Sequence, residues 1–140
     1  MKANEDIKVQ DKRKRVFLVD QFPITRMAVS EWLRQTSELS VCGEADNATS
    51  ALAAVSNLKP DLVVTEIINQ QDLGFIQSLR RRCPRLPILV YSFRDEEWYA
   101  PRALEAGADG YLTKGAAPKA ALTRADLAVA LHVAAGPYLH

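Results

Sequence analysis

Asp20, Glu66, Ser92 and Lys114 each follow a short apolar run, and as a set they hold the groups needed to handle a phosphoryl group. Asp20 follows Val16-Phe17-Leu18-Val19. Glu66 follows Leu62-Val63-Val64-Thr65, which the turn pair Pro60-Asp61 introduces. Ser92 follows Leu86-Pro87-Ile88-Leu89-Val90-Tyr91, and Lys114 comes just after Tyr111-Leu112. Apolar runs of this length bounded by turn residues read as buried strands. Where such strands lie parallel, their carboxyl ends share one edge, and α/β sheets build their sites there. Two carboxylates at that edge suit Mg²⁺, while a hydroxyl and an ammonium suit phosphoryl oxygens. Any one of the four is an ordinary solvated strand end; all four in chain order describe a pocket.

The segments between these runs must be the helices that hold the strands in place. Pro23 suits a first helical turn, and Ile24, Met27, Ala28, Trp32 and Leu33 recur at helical spacing through Gln35. Val41–Ala45 reads as a second strand. Asn47 or Thr49 then caps a helix carrying Ala51, Leu52 and Val55, which stops before Pro60. Asp72 opens a third helix with Phe75, Ile76 and Leu79. It ends near Arg80-Arg81-Arg82, where cations suit the negative helix end. Asp95 caps a fourth helix closed by Gly107, and Pro118 starts a last one that Gly136-Pro137 ends. Strands alternating with helices predict right-handed βαβ units: an α/β fold with a doubly wound, five-stranded parallel sheet.

The bulk numbers allow one domain of 140 residues and exclude several function classes. Residues 1–15 carry six basic and three acidic side chains, +3, which leaves +1 − 3 = −2 for residues 16–140. The Lys12–Arg15 run suits contact with nucleic acid or an acidic partner, though such a run is more often a solvated lead-in to the first strand, and the body shows no basic face for reading DNA. Cys42 and Cys83 stand apart with no metal-ligand spacing, as in reduced thiols of a cytoplasmic domain. His132 and His140 are the only histidines, too few for a His-based metal site or triad. No stretch is long and apolar enough for a membrane span, and no Gly-rich phosphate loop follows the first strand. An enzyme is therefore not expected.

The chain resembles the receiver domains of two-component response regulators, especially the NarL/LuxR type that precedes a helix-turn-helix. The resemblance rests on Val19-Asp20-Gln21-Phe22-Pro23, Gly43-Glu44-Ala45, Pro60-Asp61-Leu62-Val63-Val64-Thr65-Glu66-Ile67, Gly74 and Ala106-Gly107-Ala108-Asp109-Gly110-Tyr111-Leu112-Thr113-Lys114-Gly115. It implies a flavodoxin-like (βα)5 receiver fold over residues 15–136, with a charged tail at 1–14. Residues 137–140 would begin a linker to a C-terminal helix-turn-helix domain. It also implies that Ser92 and Tyr111 stand at the hydroxyl and aromatic switch positions, and Lys114 at the phosphate-contacting lysine.

Two positions depart from that family's chemistry. Glu66 stands where the family has the phosphate-accepting aspartate, and Gln21 where it has the second acid of its Mg²⁺-binding pair. Glutamate is one methylene longer and overshoots the in-line geometry of phosphoryl transfer. Gln21 offers a neutral carbonyl in place of a carboxylate, so Asp20 and Glu66, helped by the Ile68 carbonyl, are expected to hold Mg²⁺ weakly if at all. Gln70 replaces the family's proline four residues after the acceptor. The expectation is an atypical receiver that signals by protein contacts without aspartyl phosphorylation. Its Glu66 charge, paired with Lys114, would either mimic the phosphorylated state or leave the domain unswitched. The alternatives are a working phosphoreceiver, at this position or through another acid such as Asp72, and a sensor of a small ligand, a metabolite or an anion, near Lys114.

The expected partners follow from apolar faces. In the last helix Leu122, Ala125, Val129 and Val133 form one stripe, with Leu127, Leu131 and Ala134 nearly opposite; Trp98 and Tyr99 mark the fourth helix. These predict a homodimer through the fourth helix, fifth strand and fifth helix, or through the first and last helices. DNA is expected to be reached only through a separate C-terminal domain.

Overall fold

Five apolar runs become five parallel strands in the computed structural model, which describes residues 12–67 and 71–114. The strands are β1 (Lys14–Val19), β2 (Leu39–Ala45), β3 (Leu62–Thr65), β4 (Ile88–Ser92) and β5 (Gly110–Thr113), in the order β2-β1-β3-β4-β5. Between them run α1 (Pro23–Arg34), α2 (Ala48–Leu58), α3 (Gln71–Arg82) and α4 (Glu96–Ala106). The strand order reverses between β1 and β3, the place where such sheets leave a crevice at their carboxyl edge. β1 begins inside the stretch expected to be tail, because Lys14 N–H donates to the Glu38 carbonyl at 2.9 Å and continues the pairing with β2. The expected last helix, the linker residues, Ile68 and Gln70 lie outside the described residues.

Strand alternation splits the core into two faces. Phe17, Val19, Val63, Ile88 and Val90 face one way and pack on Ala51 and Val55 of α2, Phe75, Ile76 and Leu79 of α3, and Ala103 and Ala106 of α4. Val16, Leu18, Leu62, Leu89 and Tyr91 face the other way, where Val29 and Leu33 of α1 meet them. Full burial of each large side chain contributes roughly 1.5–3 kcal/mol. α1 does not bury the whole stripe read from its spacing. Val29, Trp32 and Leu33 pack inward, whereas Ile24 and Met27 are 75% and 68% exposed and Ala28 is exposed too. The spacing fits two adjoining helical faces, and only the neighbouring strands decide which is covered.

Local signals act at the helix ends. Asn47, not Thr49, caps α2, its Oδ1 accepting from Ser50 N–H at 2.8 Å. Asp95 caps α4 by accepting from Glu97 N–H at 3.2 Å. Gly107 ends α4 with φ at +126°, where a Cβ would also lie 2.9 Å from that of Arg80. Arg80 fills that space because its guanidinium donates to the Gly107 carbonyl and pairs with Asp109 at 2.7 Å, stapling α3 to the turn before β5.

Candidate functional site

Strand register brings the four polar strand ends together. Asp20 is the first residue past β1, Glu66 the first past β3 and Lys114 the first past β5, while Ser92 ends β4. Val19 lies beside Thr65 and Ser92 beside Thr113. Backbone bonds continue the alignment one step further: Glu66 N–H donates to the Val19 carbonyl at 2.9 Å, and Lys114 N–H to the Ser92 carbonyl at 2.7 Å. All four side chains are buried, Lys114 at 3% exposure and Glu66 at 5%.

Lys114 Nζ bridges the two carboxylates, 2.7 Å from Asp20 Oδ2 and 2.8 Å from Glu66 Oε2. Buried ions survive when they are paired and their remaining lone pairs are met by donors. Both conditions hold. Asp20 Oδ1 accepts from Phe22 N–H at 2.9 Å, Glu66 Oε1 from Ile67 N–H at 2.6 Å, and Glu66 Oε2 also from Phe93 N–H at 3.2 Å. The Phe93 and Tyr91 rings lie 4.7 and 5.5 Å from Nζ, a further cation–π environment for the ammonium. The extra methylene of Glu66 thus lets one carboxylate bind the loops after β3 and β4 and the lysine after β5.

Every carboxylate oxygen of Asp20 and Glu66 already has a partner, and the triad carries −1 − 1 + 1 = −1. A divalent cation would compete with Lys114 and the backbone amides for this donor set. No three His, Cys, Asp or Glu side chains are grouped to share a metal among the described residues. Gln21 is exposed beside the triad.

Ser92 and Tyr111 meet each other's segment without touching Glu66. Ser92 Oγ accepts from Arg94 N–H at 3.0 Å and makes a long bond of 3.4 Å to the Ile67 carbonyl. Tyr111 Oη donates to the Arg94 carbonyl at 2.8 Å, so the two hydroxyls hold the same residue from its two ends. Thr113 Oγ1 donates to Glu96 at 3.0 Å, tying β5 to the first turn of α4.

Burial raises the Tyr111 phenol above its ordinary value of 10.0; the Ser92 hydroxyl works against this, and the Glu66, Glu96 and Asp95 charges add to it. The folded state therefore holds the neutral phenol longer than the unfolded chain does. That contribution is fully present below pH 10 and is lost as pH rises through the folded value. Urea unfolding should lose more stability between pH 9 and pH 11 in the natural chain than in Tyr111→Phe; equal losses would show that this phenol is not buried enough to matter.

Two contributors escape a reading of the sequence. Arg26 donates to the Asp20 carbonyl at 2.5 Å and pairs with Glu44 at 3.1 Å, fixing the loop after β1. Phe93 acts through its backbone N–H and its ring, neither of which a residue type announces. Asp72 lies in the first turn of α3 and is half-buried.

Known proteins share this fold. The family model for the response regulator receiver domain matches residues 16–126. The nitrate/nitrite response regulator protein NarL of Escherichia coli strain K12 is 31% identical over 122 residues, 86% of this chain and 54% of that protein. Response regulator GacA of Pseudomonas viridiflava is 31% identical over 105 residues, 73% of this chain and 49% of that protein. This chain thus spans about half the length of the curated relatives it matches. Among solved structures, a two-component response regulator of the LuxR family from Aurantimonas sp. SI85-9A1 superposes with a TM-score of 0.74 at 27% identity, covering 86% of each chain. The signal receiver domain of the putative response regulator NarL from Mycobacterium tuberculosis gives 0.71 at 26% identity, covering 86% of this chain and 98% of that one. With its sheet order and these matches in agreement, the chain belongs to the response regulator receiver domain family and is of the NarL/LuxR type.

Proposed function

We propose that this domain is an atypical receiver, part of a transcription regulator, that signals through protein–protein contacts without phosphorylation at Glu66. The carrying observation is the seat of the Glu66 carboxylate. It is buried, bonded to Lys114 Nζ, Ile67 N–H and Phe93 N–H, and so occupies the cation and amide that an incoming phosphoryl group would need. Mg²⁺ is not required in this reading and binds weakly, since Lys114 and backbone amides compete for the oxygens of Asp20 and Glu66 and Gln21 supplies no charge. The carboxylate carries one negative charge where an aspartyl phosphate would carry about −1.5 to −2. It engages the lysine but not the Ser92 hydroxyl, and it holds the three loops in one arrangement.

The domain is not an enzyme in this reading, and it works in the cytoplasm. None of the described helices is long and apolar enough to cross a membrane. A separate C-terminal domain would read DNA sequence, in keeping with NarL-type relatives about twice as long as the matched region. The partner is a second copy, through α4, β5 and the helix expected after β5, or through α1 and that expected helix. Trp98 and Leu104 on α4 are 52% and 50% exposed, and Ile24 and Met27 mark the α1 surface.

Sedimentation of the natural chain and of the Glu66→Asp, Gln21→Asp double variant, with and without Mg²⁺ and beryllofluoride, tests the reading. The natural chain is expected to keep one assembly state under all conditions, while the double variant changes its state with the phosphate mimic. A natural chain that shifts on adding the mimic would show that its pocket still senses phosphoryl-like ligands.

A further inference from the structure

The edge of the sheet opposite the pocket has the reverse charge. Lys12, Arg13 and Lys14 lead into β1, Lys59 precedes β3, and Arg81, Arg82 and Arg85 precede β4. These three strands are neighbours. Asp61 N–H donates to the Arg15 carbonyl at 2.8 Å, the Arg15 guanidinium to the Lys59 carbonyl at 3.1 Å, and Val63 N–H to the Pro87 carbonyl at 3.0 Å. The cations therefore share one strip, about 10 Å wide at the backbone from strand spacing alone and wider at the side-chain tips.

Lys12, Lys14, Lys59, Arg81 and Arg82 are exposed, and Lys12, Lys14, Lys59 and Arg82 make no ion pair among the described residues. Of the nearby carboxylates, Asp61 lies within the strip, its Oδ2 accepting from Arg15 N–H at 2.8 Å, and offsets one of these charges, while Asp109 pairs with Arg80. Glu38 before β2 and Glu105 late in α4 flank the strip on either side. Attraction to the negative end of α3 accounts for arginines in its last turn, but not for lysines at the start of a strand. Crowding like charges disfavours the compact state, so a partner that neutralises them would offset a standing cost.

The chemistry of the strip selects the partner. Protein interfaces are anchored by buried aromatic or other large apolar side chains. Among the described residues, none of the exposed large apolar ones (Phe22, Ile24, Met27, Phe93, Trp98, Leu104) lies in the three segments that supply these cations. A surface of charge without apolar anchors fits a phosphate backbone, which is held by lysine and arginine alone. The opposite edge carries Asp20, Asp46, Glu66, Asp95, Glu96 and Glu97, which would turn it away from the same ligand. We infer that the strip formed by Lys12–Lys14, Lys59 and Arg81–Arg85 docks the backbone of duplex nucleic acid, with the pocket facing away. The contact reads no bases and adds a non-specific term to whatever sequence reading another domain supplies.

Fluorescence anisotropy of a labelled duplex of about 20 base pairs, titrated with the natural chain across salt concentrations, tests this. Saturable binding is expected at low salt, with log K falling linearly against log salt by about 0.9 per phosphate neutralised. The Lys14→Gln, Lys59→Gln, Arg82→Gln variant should bind about tenfold more weakly and show a slope shallower by about 2–3. A control that removes the same charge elsewhere, Arg34→Gln, Arg94→Gln, Arg102→Gln, should bind within about twofold of the natural chain. Circular dichroism confirms that both variants are folded. The inference is overturned by an absence of saturable binding, by equal weakening in the control, or by oligoglutamate displacing the chain at lower concentration than unlabelled duplex. The last result would assign the strip to an acidic protein.

Discussion

Lys114→Met should destabilise the domain by about 3–5 kcal/mol, a large share of the roughly 5–15 kcal/mol that holds a domain together. Methionine fills a similar space, so the loss is electrostatic rather than steric. Without the ammonium, Asp20 and Glu66 remain buried and face each other with only backbone amides to meet their charge. Breaking one side of a buried ion cluster costs far more than the net value of the intact cluster, because the stranded ions cannot recover their hydration. Urea denaturation reads the effect as a lower midpoint. Adding Glu66→Gln to Lys114→Met should restore part of the loss, since the pocket then holds one charge instead of two. Glu66→Gln on its own should be harmful to a smaller degree. A Lys114→Met midpoint equal to that of the natural chain would mean that water reaches the triad and screens it, contrary to its burial.

The second large effect is on phosphoryl uptake. With acetyl phosphate and Mg²⁺, the natural chain should show no mass gain under conditions where the Glu66→Asp, Gln21→Asp variant acquires one phosphoryl group. In that variant an aspartate oxygen attacks phosphorus, the bond to acetate breaks, and acetate leaves with the electron pair. Two physical differences separate the proteins. The shorter aspartate draws the nucleophile back toward β3 and releases Phe93 N–H, which Glu66 Oε2 now occupies. Misplacing a reacting atom by about 1 Å can cost about a hundredfold in rate. The second difference is charge: Gln21→Asp restores a carboxylate next to Asp20, and the pair can hold the metal that must neutralise the transferring oxygens. Intact-mass spectrometry over time gives the rates directly. Equal labelling of the two proteins would end the case for a non-phosphorylated receiver, and labelling mapped to Asp72 would move the acceptor instead of removing it. This outcome is separable from the duplex titration, since the basic strip lies at the other edge of the sheet.

Much of this is legible in the sequence. The five strands and four described helices follow from apolar runs, from caps at Asn47 and Asp95, and from the stop at Gly107, all of which are local effects acting over a few residues. Glu66 is conspicuous for the same reason: its type and its place after a buried run are visible without knowing its neighbours. The exposure of Ile24 and Met27 runs against their spacing, because helical periodicity identifies faces but not what covers them. Arg26 and Phe93 leave no trace in the sequence because their roles are a bond to the Asp20 carbonyl and a donated backbone N–H, which exist only once the loops after β1 and β4 have met.

By itself the sequence determined the element order, the parallel sheet and the list of polar groups at its carboxyl edge, because those depend on local patterning and on the handedness of βαβ units. It also determined that a glutamate follows the third buried run, at position 66. Only the tertiary structure decided that Lys114 bridges both carboxylates, that Ser92 and Tyr111 grip Arg94 rather than Glu66, and that cations from three separate segments share one edge. Those contacts join residues dozens of positions apart, and strand register, not sequence spacing, sets their distances.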